Sequence, residues 1–309
     1  MTDTLLKTDL ILPFQLEEAN LRGRLVRLST TYDETIRNHG YPEPVSQLLG
    51  ECLALAAILA GALKYDGLFT LQIQSDGPIS LMVVDIASSG DLRATARFDE
   101  TRLAKAEKQE GGDVPRLLGK GQLVFTVDQG ADMDRYQGMV ALTGETLADC
   151  AGEYFTQSEQ IETDIELVAR PNAPSGPVAA ALMIQRMPGE VTNHQATDAL
   201  DEAEESWGRA VVLLKSVTTE ELTDVELAPQ DLLYRLYHQD GVMAYPAKPL
   251  AFKCRCSRDK VKSTLASFPK AEVAELKEEG RITVTCQFCG LDYLFEEAEV
   301  DTLHSDESQ

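Results

Sequence analysis

The sequence predicts an α+β protein: an N-terminal domain with a mainly antiparallel sheet and packed helices, a helical linker, and a small C-terminal domain with four cysteines. Three observations support this organisation. Short segments of alternating apolar and polar residues, separated by turn residues, fill the first half of the chain. From Pro188 onward, apolar residues recur at helical spacing instead. Four cysteines then lie close together near the end, so we expect domains over residues 1–188, 189–250 and 251–309.

The predicted strands of the core domain (1–188) follow one another as hairpins. Asp76-Gly77 lies between two alternating runs, which is a strong hairpin signal. The turn Ser88–Asp91 extends the same meander by one strand. The predicted strands are Leu10–Phe14, Leu21–Leu28, Leu68–Gln74, Ile79–Ile86, Leu92–Phe98, Gln122–Val127, Gly138–Leu142, Ile161–Ala169 and Val178–Gln185, and the predicted helices are Glu43–Lys64 and Glu145–Tyr154.

The predicted linker (189–250) contains amphipathic helices over Asp198–Val217 and Asp231–Gln239. Thr218 and Glu221 have the spacing of a capping box for a short turn between them. No strand is predicted between these helices, and helices of this length need a neighbour on which to bury their apolar stripes. We therefore expect a metastable linker that docks on the core. Its apolar faces carry Leu200, Trp207, Val211 and Leu214, and then Leu232, Leu233, Leu236 and Tyr237.

The composition restricts the classes of partner. The formal net charge of −23 opposes binding to nucleic acid or to an anionic membrane. The start of the chain has no signal-peptide pattern, and the apolar run Cys52–Leu63 is too short to cross a bilayer. No nucleotide-binding glycine motif occurs, and cysteines at metal spacing indicate a reducing compartment. We therefore expect a soluble, cytoplasmic protein that binds neither nucleotide nor nucleic acid and does not bind a membrane.

Two close cysteine pairs are the most informative feature of the chain. Cys254 and Cys256 form a Cys-x-Cys pair, Cys286 and Cys289 form a Cys-x-x-Cys pair, and the insert between them contains neither cysteine nor histidine. Four thiolates at such spacing suit a closed structural site for one Zn²⁺ per chain. Gly290 follows the last ligand, where a tight knuckle is expected. The segment is too small to fold by core burial alone, so the metal is expected to stabilise it.

Other interpretations of these cysteines are weaker but remain open. Four thiolates also bind iron–sulfur clusters. A thioredoxin-type role for the second pair lacks a surrounding βαβ unit, and the signature of zinc deaminases is missing. Cys52 lies on the apolar predicted helix and Cys150 on the predicted helix Glu145–Tyr154, and both are expected to be buried and unreactive. No Ser–His–Asp or Cys–His arrangement is recognisable, so we predict that the protein is not an enzyme.

Several stretches resemble the redox-regulated 33 kDa chaperonin family, which are bacterial heat-shock holdases. The likeness spans nearly the whole chain in the right order. The departures are the acidic stretch Asp198–Glu205 and the charged loop Glu107–Asp113. The matching stretches are Leu63–Gly67, Gln74–Pro78, Arg135–Gly138, Tyr154–Gln160, Leu233–His238 and both cysteine pairs with their neighbours.

The resemblance implies a redox switch. In the family, the reduced chain with zinc on Cys254, Cys256, Cys286 and Cys289 is inactive. Oxidants form the disulfides Cys254–Cys256 and Cys286–Cys289 and release zinc. The linker and zinc segment then unfold, and the chain, as a homodimer in many cases, binds unfolding client proteins without ATP.

The client-binding surface is expected to include apolar residues of the linker. The candidate contacts are Trp207, Leu232, Leu233, Leu236 and Tyr237. A rival from another class is a constitutive zinc-ribbon module that docks a partner protein without redox switching, and an enzyme with a structural zinc comes third. Zinc release and a gain of chaperone activity on oxidation would separate the first two.

Overall fold

The computed structural model describes residues 7–130, 135–187, 196–278, 280–296 and 299. Its strands are β1 (Leu10–Leu16), β2 (Leu21–Leu28), β3 (Leu68–Ser75), β4 (Ile79–Ala87), β5 (Asp91–Phe98), β6 (Gly121–Asp128), β7 (Tyr136–Ala141), β8 (Thr163–Arg170), β9 (Val178–Arg186), β10 (Val242–Ala244), β11 (Lys248–Pro249), β12 (Ala251–Phe252), β13 (Arg281–Thr285) and β14 (Asp292–Glu296). Its helices are α1 (Thr30–Ile36), α2 (Glu43–Ala62), α3 (Glu100–Ala106), α4 (Leu147–Tyr154), α5 (Ala196–Lys215), α6 (Thr219–Thr223), α7 (Pro229–Tyr237), α8 (Arg258–Ala266) and α9 (Lys270–Glu275).

Apart from the β13–β14 hairpin, the strands form two sheets, made of β1–β9 of the predicted core domain and of β10, β11 and β12 from beyond it. The first sheet has the order β10-β1-β2-β9-β8, with β11 also paired to β1, and the second has the order β12-β5-β4-β3-β6-β7. Neighbouring strands are antiparallel throughout both sheets, except that β12 runs parallel to β5. The predicted α+β class with mainly antiparallel strands is therefore confirmed, with the strands divided between two layers.

Helix α2 forms the centre of the core between the two sheets. It contacts β2, β8 and β9 of the first sheet and β4 and β5 of the second. Residues Cys52–Ile58 are fully buried, because the helix is apolar on all sides and is covered on all sides. Among the described residues, α2 is the one helix long and apolar enough to span a membrane by length and composition, but 78% of its apolar window is buried inside the fold.

The linker helices cover the other face of the first sheet. Leu232, Leu233 and Tyr237 pack with Phe14 and other side chains of β1, β2 and β9 in a second hydrophobic core. Sheet residues alternate between the two cores: Leu10 and Leu12 face the linker, whereas Ile11 faces α2. The first sheet is thus buried on both faces.

As predicted, no strand lies between the linker helices over residues 196–237, but three short strands that were not predicted follow the last of these helices. β10 and β11 pair with β1, and β12 then crosses to the second sheet. These strands have only two or three residues, Pro246 lies between β10 and β11, and Pro249 lies in β11, so no alternating pattern was visible. Helices α1 and α3 were also not predicted; each has only seven residues.

The C-terminal segment is a small unit of α8, α9 and the β13–β14 hairpin. Among its described residues, the buried core consists of Leu265, Val273, Ile282 and Phe295. A core of this size cannot offset the conformational entropy of the segment. The residues after Glu296 are mostly acidic and polar in sequence, and all of them except Glu299 lie outside the described residues.

Candidate metal centre

The four C-terminal cysteines meet at one point. Their sulfur atoms all lie within 4.8 Å of one another. We call Cys254 and Cys256 the first thiol pair, and Cys286 and Cys289 the second thiol pair. Two of these separations join one pair to the other: 3.7 Å between the sulfurs of Cys254 and Cys286, and 3.4 Å between those of Cys256 and Cys289.

This geometry fits a tetrahedral metal site. Sulfurs about 2.3 Å from a central Zn²⁺ would be separated from one another by about 3.8 Å. The observed sulfur separations lie around that value. A set of four thiolates favours soft or borderline ions such as zinc over magnesium or calcium. The residues present therefore fit the ion that the sequence suggested, and such a closed site leaves no position for a reacting water.

The second thiol pair lies in a tight turn between β13 and β14. The Gly290 N–H donates to the carbonyl of Cys286 at 2.8 Å, and the Cys286 N–H donates to the carbonyl of Leu291 at 2.9 Å. Gly290 has φ +67°, which a residue with a side chain adopts only at a cost. A Cβ atom at this position would also lie 2.7 Å from Cβ of Asn38. Glycine is therefore required by both the turn and the core surface.

The surroundings of the sulfurs shift the pKa values of Cys254, Cys256 and Cys289 in different directions. Burial opposes ionisation of Cys254, but hydrogen bonds from the Cys256 backbone and the other thiols outweigh it and lower the pKa of Cys254 to about 7. Burial raises the pKa of Cys256 and of Cys289. The phenol of Tyr293 donates to the Cys256 sulfur at 3.1 Å, which favours its thiolate.

The core domain contacts the centre through α1 and the loop that follows it. Asn38 Nδ2 donates to the carbonyl oxygen of Cys289 at 3.0 Å. The side chain thus holds the last residue of the second thiol pair from outside the segment, in the way that outer-shell hydrogen bonds orient metal ligands. This contact was not predictable from the sequence, because Asn38 and Tyr293 belong to no motif.

The two remaining cysteines lie elsewhere, as predicted. Cys52 on α2 and Cys150 on α4 are buried and free. Burial raises the pKa of both thiols, so they stay protonated at neutral pH.

The predicted client-contact residues lie on the linker and not at the metal centre. Leu232, Leu233 and Tyr237 are at most 1% exposed against the first sheet. Trp207 and Leu236 are half-buried at the edge of the same hydrophobic core. In this conformation these apolar side chains of the linker are therefore wholly or partly covered by the first sheet.

Sequence reasoning missed Arg27, the largest fully buried side chain of the described residues. Its guanidinium donates to the backbone carbonyls of Leu222, near the end of α6, and of Leu227, in the loop between α6 and α7. A signal was present: Arg27 falls on the same face of β2 as Leu21 and Leu25, where an apolar residue is expected.

Comparison with known proteins agrees with the fold. A family model described as "Hsp33 protein" matches residues 9–296. The 33 kDa chaperonin of Caulobacter vibrioides is 41% identical, over 94% of this chain and 96% of the relative. The 33 kDa chaperonin of Proteus mirabilis is 34% identical, over 96% and 97% of the two chains. The crystal structure of the 33 kDa chaperonin from Thermotoga maritima has the same fold, with a TM-score of 0.76, 22% identity, and coverage of 97% and 98%.

These relatives define a class of protein that is not enzymatic, since they are named chaperonins. The predicted absence of enzymatic activity is confirmed by this class. Within it, the chain belongs to the Hsp33 protein family.

Proposed function

We propose that the protein is a redox-regulated, ATP-independent holdase that prevents aggregation of unfolding proteins under oxidative stress. The reduced chain holds one Zn²⁺ on the two thiol pairs and is inactive. Oxidation releases the zinc and activates the chain. Its partners are unfolding client proteins in the cytoplasm and, in the oxidised form, a second copy of the chain; nucleic acid, nucleotide and membrane are not partners.

The observation that carries the proposal is the clustering of four thiols in a segment that has only a very small hydrophobic core. Four sulfurs within 4.8 Å of one another join the two ends of a segment whose own core is four side chains. Structural zinc contributes on the order of 10–16 kcal/mol to the folding of such segments. Removal of the metal is therefore expected to unfold it.

The chemistry of activation is the oxidation of each pair to a disulfide. Two thiolates lose two electrons to one hydrogen peroxide molecule, an S–S bond forms, the O–O bond breaks, and two hydroxide ions leave. Two such steps remove all four ligands and free one Zn²⁺. Pairing within each thiol pair is favoured after metal release, because the unfolded segment brings together only thiols that are close in sequence.

The linker is proposed to convert this local event into client binding. Residues 242–252 connect α7 to the first thiol pair through the short strands β10, β11 and β12. When the segment unfolds, α5–α7 lose the neighbour that follows them in the chain and undock. Trp207, Leu232, Leu233, Leu236, Tyr237 and the sheet face beneath them then become apolar surface of the kind that binds unfolded chains.

The test compares zinc, thiols and chaperone activity in one preparation. Reduced protein is expected to contain one zinc and six titratable thiols per chain; oxidised protein should retain no zinc and only the thiols of Cys52 and Cys150. Light scattering by a heat-unfolding client should be suppressed by the oxidised form alone, without ATP. A constitutive zinc-ribbon module would keep equal activity in both forms, and that result would overturn the proposal.

A further inference from the structure

The residues enclosed by each thiol pair converge on one place in the core. Arg255 lies between the first thiol pair, and its Nη2 atom donates to Oδ2 of Asp85 on β4. Phe288 lies between the second thiol pair, and the guanidinium carbon of Arg93 lies 3.8 Å from the centroid of its ring. Arg93, on β5, donates to the same Asp85 oxygen at 2.9 and 2.8 Å. Both thiol pairs are thus attached to a single ion pair of the second sheet.

Asp85 can release Arg255 without losing its other hydrogen-bond partners. The residue is 6% exposed, and its other oxygen accepts a hydrogen bond from Thr70 Oγ1 at 2.8 Å. Thr70 and Arg93 belong to the core domain, so they remain with the carboxylate when Arg255 departs. The Arg255 side chain is 45% exposed and can return to water at little cost. Release therefore leaves no buried charge without a partner, which is the usual penalty for breaking such a pair.

The contacts of Arg255 and Phe288 depend on the state of the sulfurs. In the reduced chain the four free sulfurs lie within 4.8 Å of one another, and a disulfide shortens one such separation to about 2.05 Å. Within a Cys-x-Cys pair this shortening must reorient the backbone of the single residue between. The Arg255 side chain then no longer points at Asp85, and its hydrogen bond to the carboxylate breaks. The same argument applies to Phe288 in the second turn.

We propose that Asp85 and Arg93 form the docking site on the core domain that positions the C-terminal four-cysteine segment. Oxidation of the thiols breaks this contact, and loss of the contact then destabilises the docked linker. This proposal rests on the proposed function. Next to the contact, the Ala251 N–H donates to the carbonyl of Gly90 and the Lys253 N–H to the carbonyl of Leu92, at 3.1 and 2.8 Å. These two amides report whether the segment is docked.

The experiment measures hydrogen exchange of the Ala251 and Lys253 amides in reduced, zinc-loaded protein. The variants are Asp85→Asn, Arg255→Gln and the double variant. Asp91→Asn is the matched control, since Asp91 pairs with Lys253 at the same sheet edge but in an exposed position. We expect both single variants to exchange about tenfold faster than the parent, the double variant to be no faster than Asp85→Asn, and the control to stay within about threefold. Zinc release at a fixed peroxide concentration should also be faster in the two single variants and the double variant than in the parent and in the Asp91→Asn control.

Two results would overturn the proposal. One is exchange at the parent rate in both single variants; the other is a double variant whose acceleration is the product of the two single effects, because the residues would then act independently. Asp85→Asn also removes the partner of Arg93, so a loss of core stability in that variant leaves Arg255→Gln to decide. Failure of the parent protein to gain chaperone activity on oxidation would instead refute the proposed function, and the exchange test in reduced protein would still stand.

Discussion

The Nη1 atom of Arg27 lies 2.6 Å from the carbonyl oxygen of Leu227, so a side chain of β2 reaches out of the sheet and holds the linker backbone. Its Nε atom also donates to the carbonyl of Leu222 at 3.0 Å. Burial lowers the pKa of Arg27 to about 10, an effect opposed by Asp224, and the guanidinium stays charged at neutral pH. Linker docking therefore has a polar component beside the apolar one.

Arg27→Met should loosen the linker. The substitution leaves two buried carbonyls without donors, at a cost of about 1–3 kcal/mol each. Amide exchange in α6 and α7 should accelerate at least tenfold, and aggregation of a client should be partly suppressed without oxidant. Arg170→Met is the control, because Arg170 makes a 4.0 Å ion pair with the exposed Glu220 and should matter little. Unchanged exchange in Arg27→Met would show that the apolar contacts alone hold the linker.

Replacement of the second thiol pair should abolish metal binding. Cys286→Ser with Cys289→Ser removes half of the thiolates, and elemental analysis should find less than about one tenth of the zinc of the parent protein. Exchange in α8, α9 and the β13–β14 hairpin should then approach that of an unfolded chain. Cys52→Ala serves as the control and should retain one zinc, since Cys52 is buried in α2. Full zinc content in the double variant would refute this ligand set.

Gly290→Ala should weaken the zinc site more than its backbone angle explains. Gly290 and Gly40 both have positive φ, +67° and +59°, but only Gly290 has atoms within 4 Å of the position of an added Cβ. The shared cost of the backbone conformation is about 1–2 kcal/mol. Gly40→Ala should therefore leave zinc affinity unchanged, whereas Gly290→Ala should lower it at least tenfold in a chelator competition. Equal affinities in the two variants would mean that Asn38 yields to the added methyl group.

Glu51→Gln should make stability less dependent on pH. Burial raises the pKa of Glu51 to about 7, an effect opposed by a hydrogen bond from Gln47 and increased by Asp113. The folded state thus holds a proton that the unfolded state loses near pH 4.5, so stability falls as pH rises from about 4.5 to 7. At pH 8 the variant should be more stable by on the order of 2 kcal/mol in urea unfolding, with no gain at pH 4. Glu43→Gln, exposed at the start of the same helix, should show no such gain.

The strands were predictable where period-two alternation and turn residues agree. β2 was predicted with its observed bounds, and the hairpin around Asp76-Gly77 was predicted to within one residue at each end. The short strands β10–β12 were not predictable, because two or three residues form a strand only when a neighbouring edge is present. That edge is β1 or β5, which lies far away in sequence.

The cysteines themselves could be recognised from spacing, but their attachment to the core could not. Asp85 reads as an ordinary polar position in an alternating strand, and nothing in the sequence relates it to Arg255. Arg27 is similar: an arginine on an apolar face is visible, but its partners are backbone carbonyls with no side-chain signature. Contacts of this kind depend on how the sheets, the linker and the C-terminal segment pack together, and local sequence patterns contain no information on this packing.

Pairing of β10 and β11 with β1 gives the linker a particular topology. The chain from the end of β9 to the start of β10 begins and ends in the same sheet, so it is a loop fixed at both ends and not a free tail. If these pairings persist when α5–α7 undock, the released chain gains less entropy than a tail of equal length. Its return after reduction is then a search within a confined volume, independent of protein concentration. The rate of inactivation should accordingly be first order, whatever the dilution.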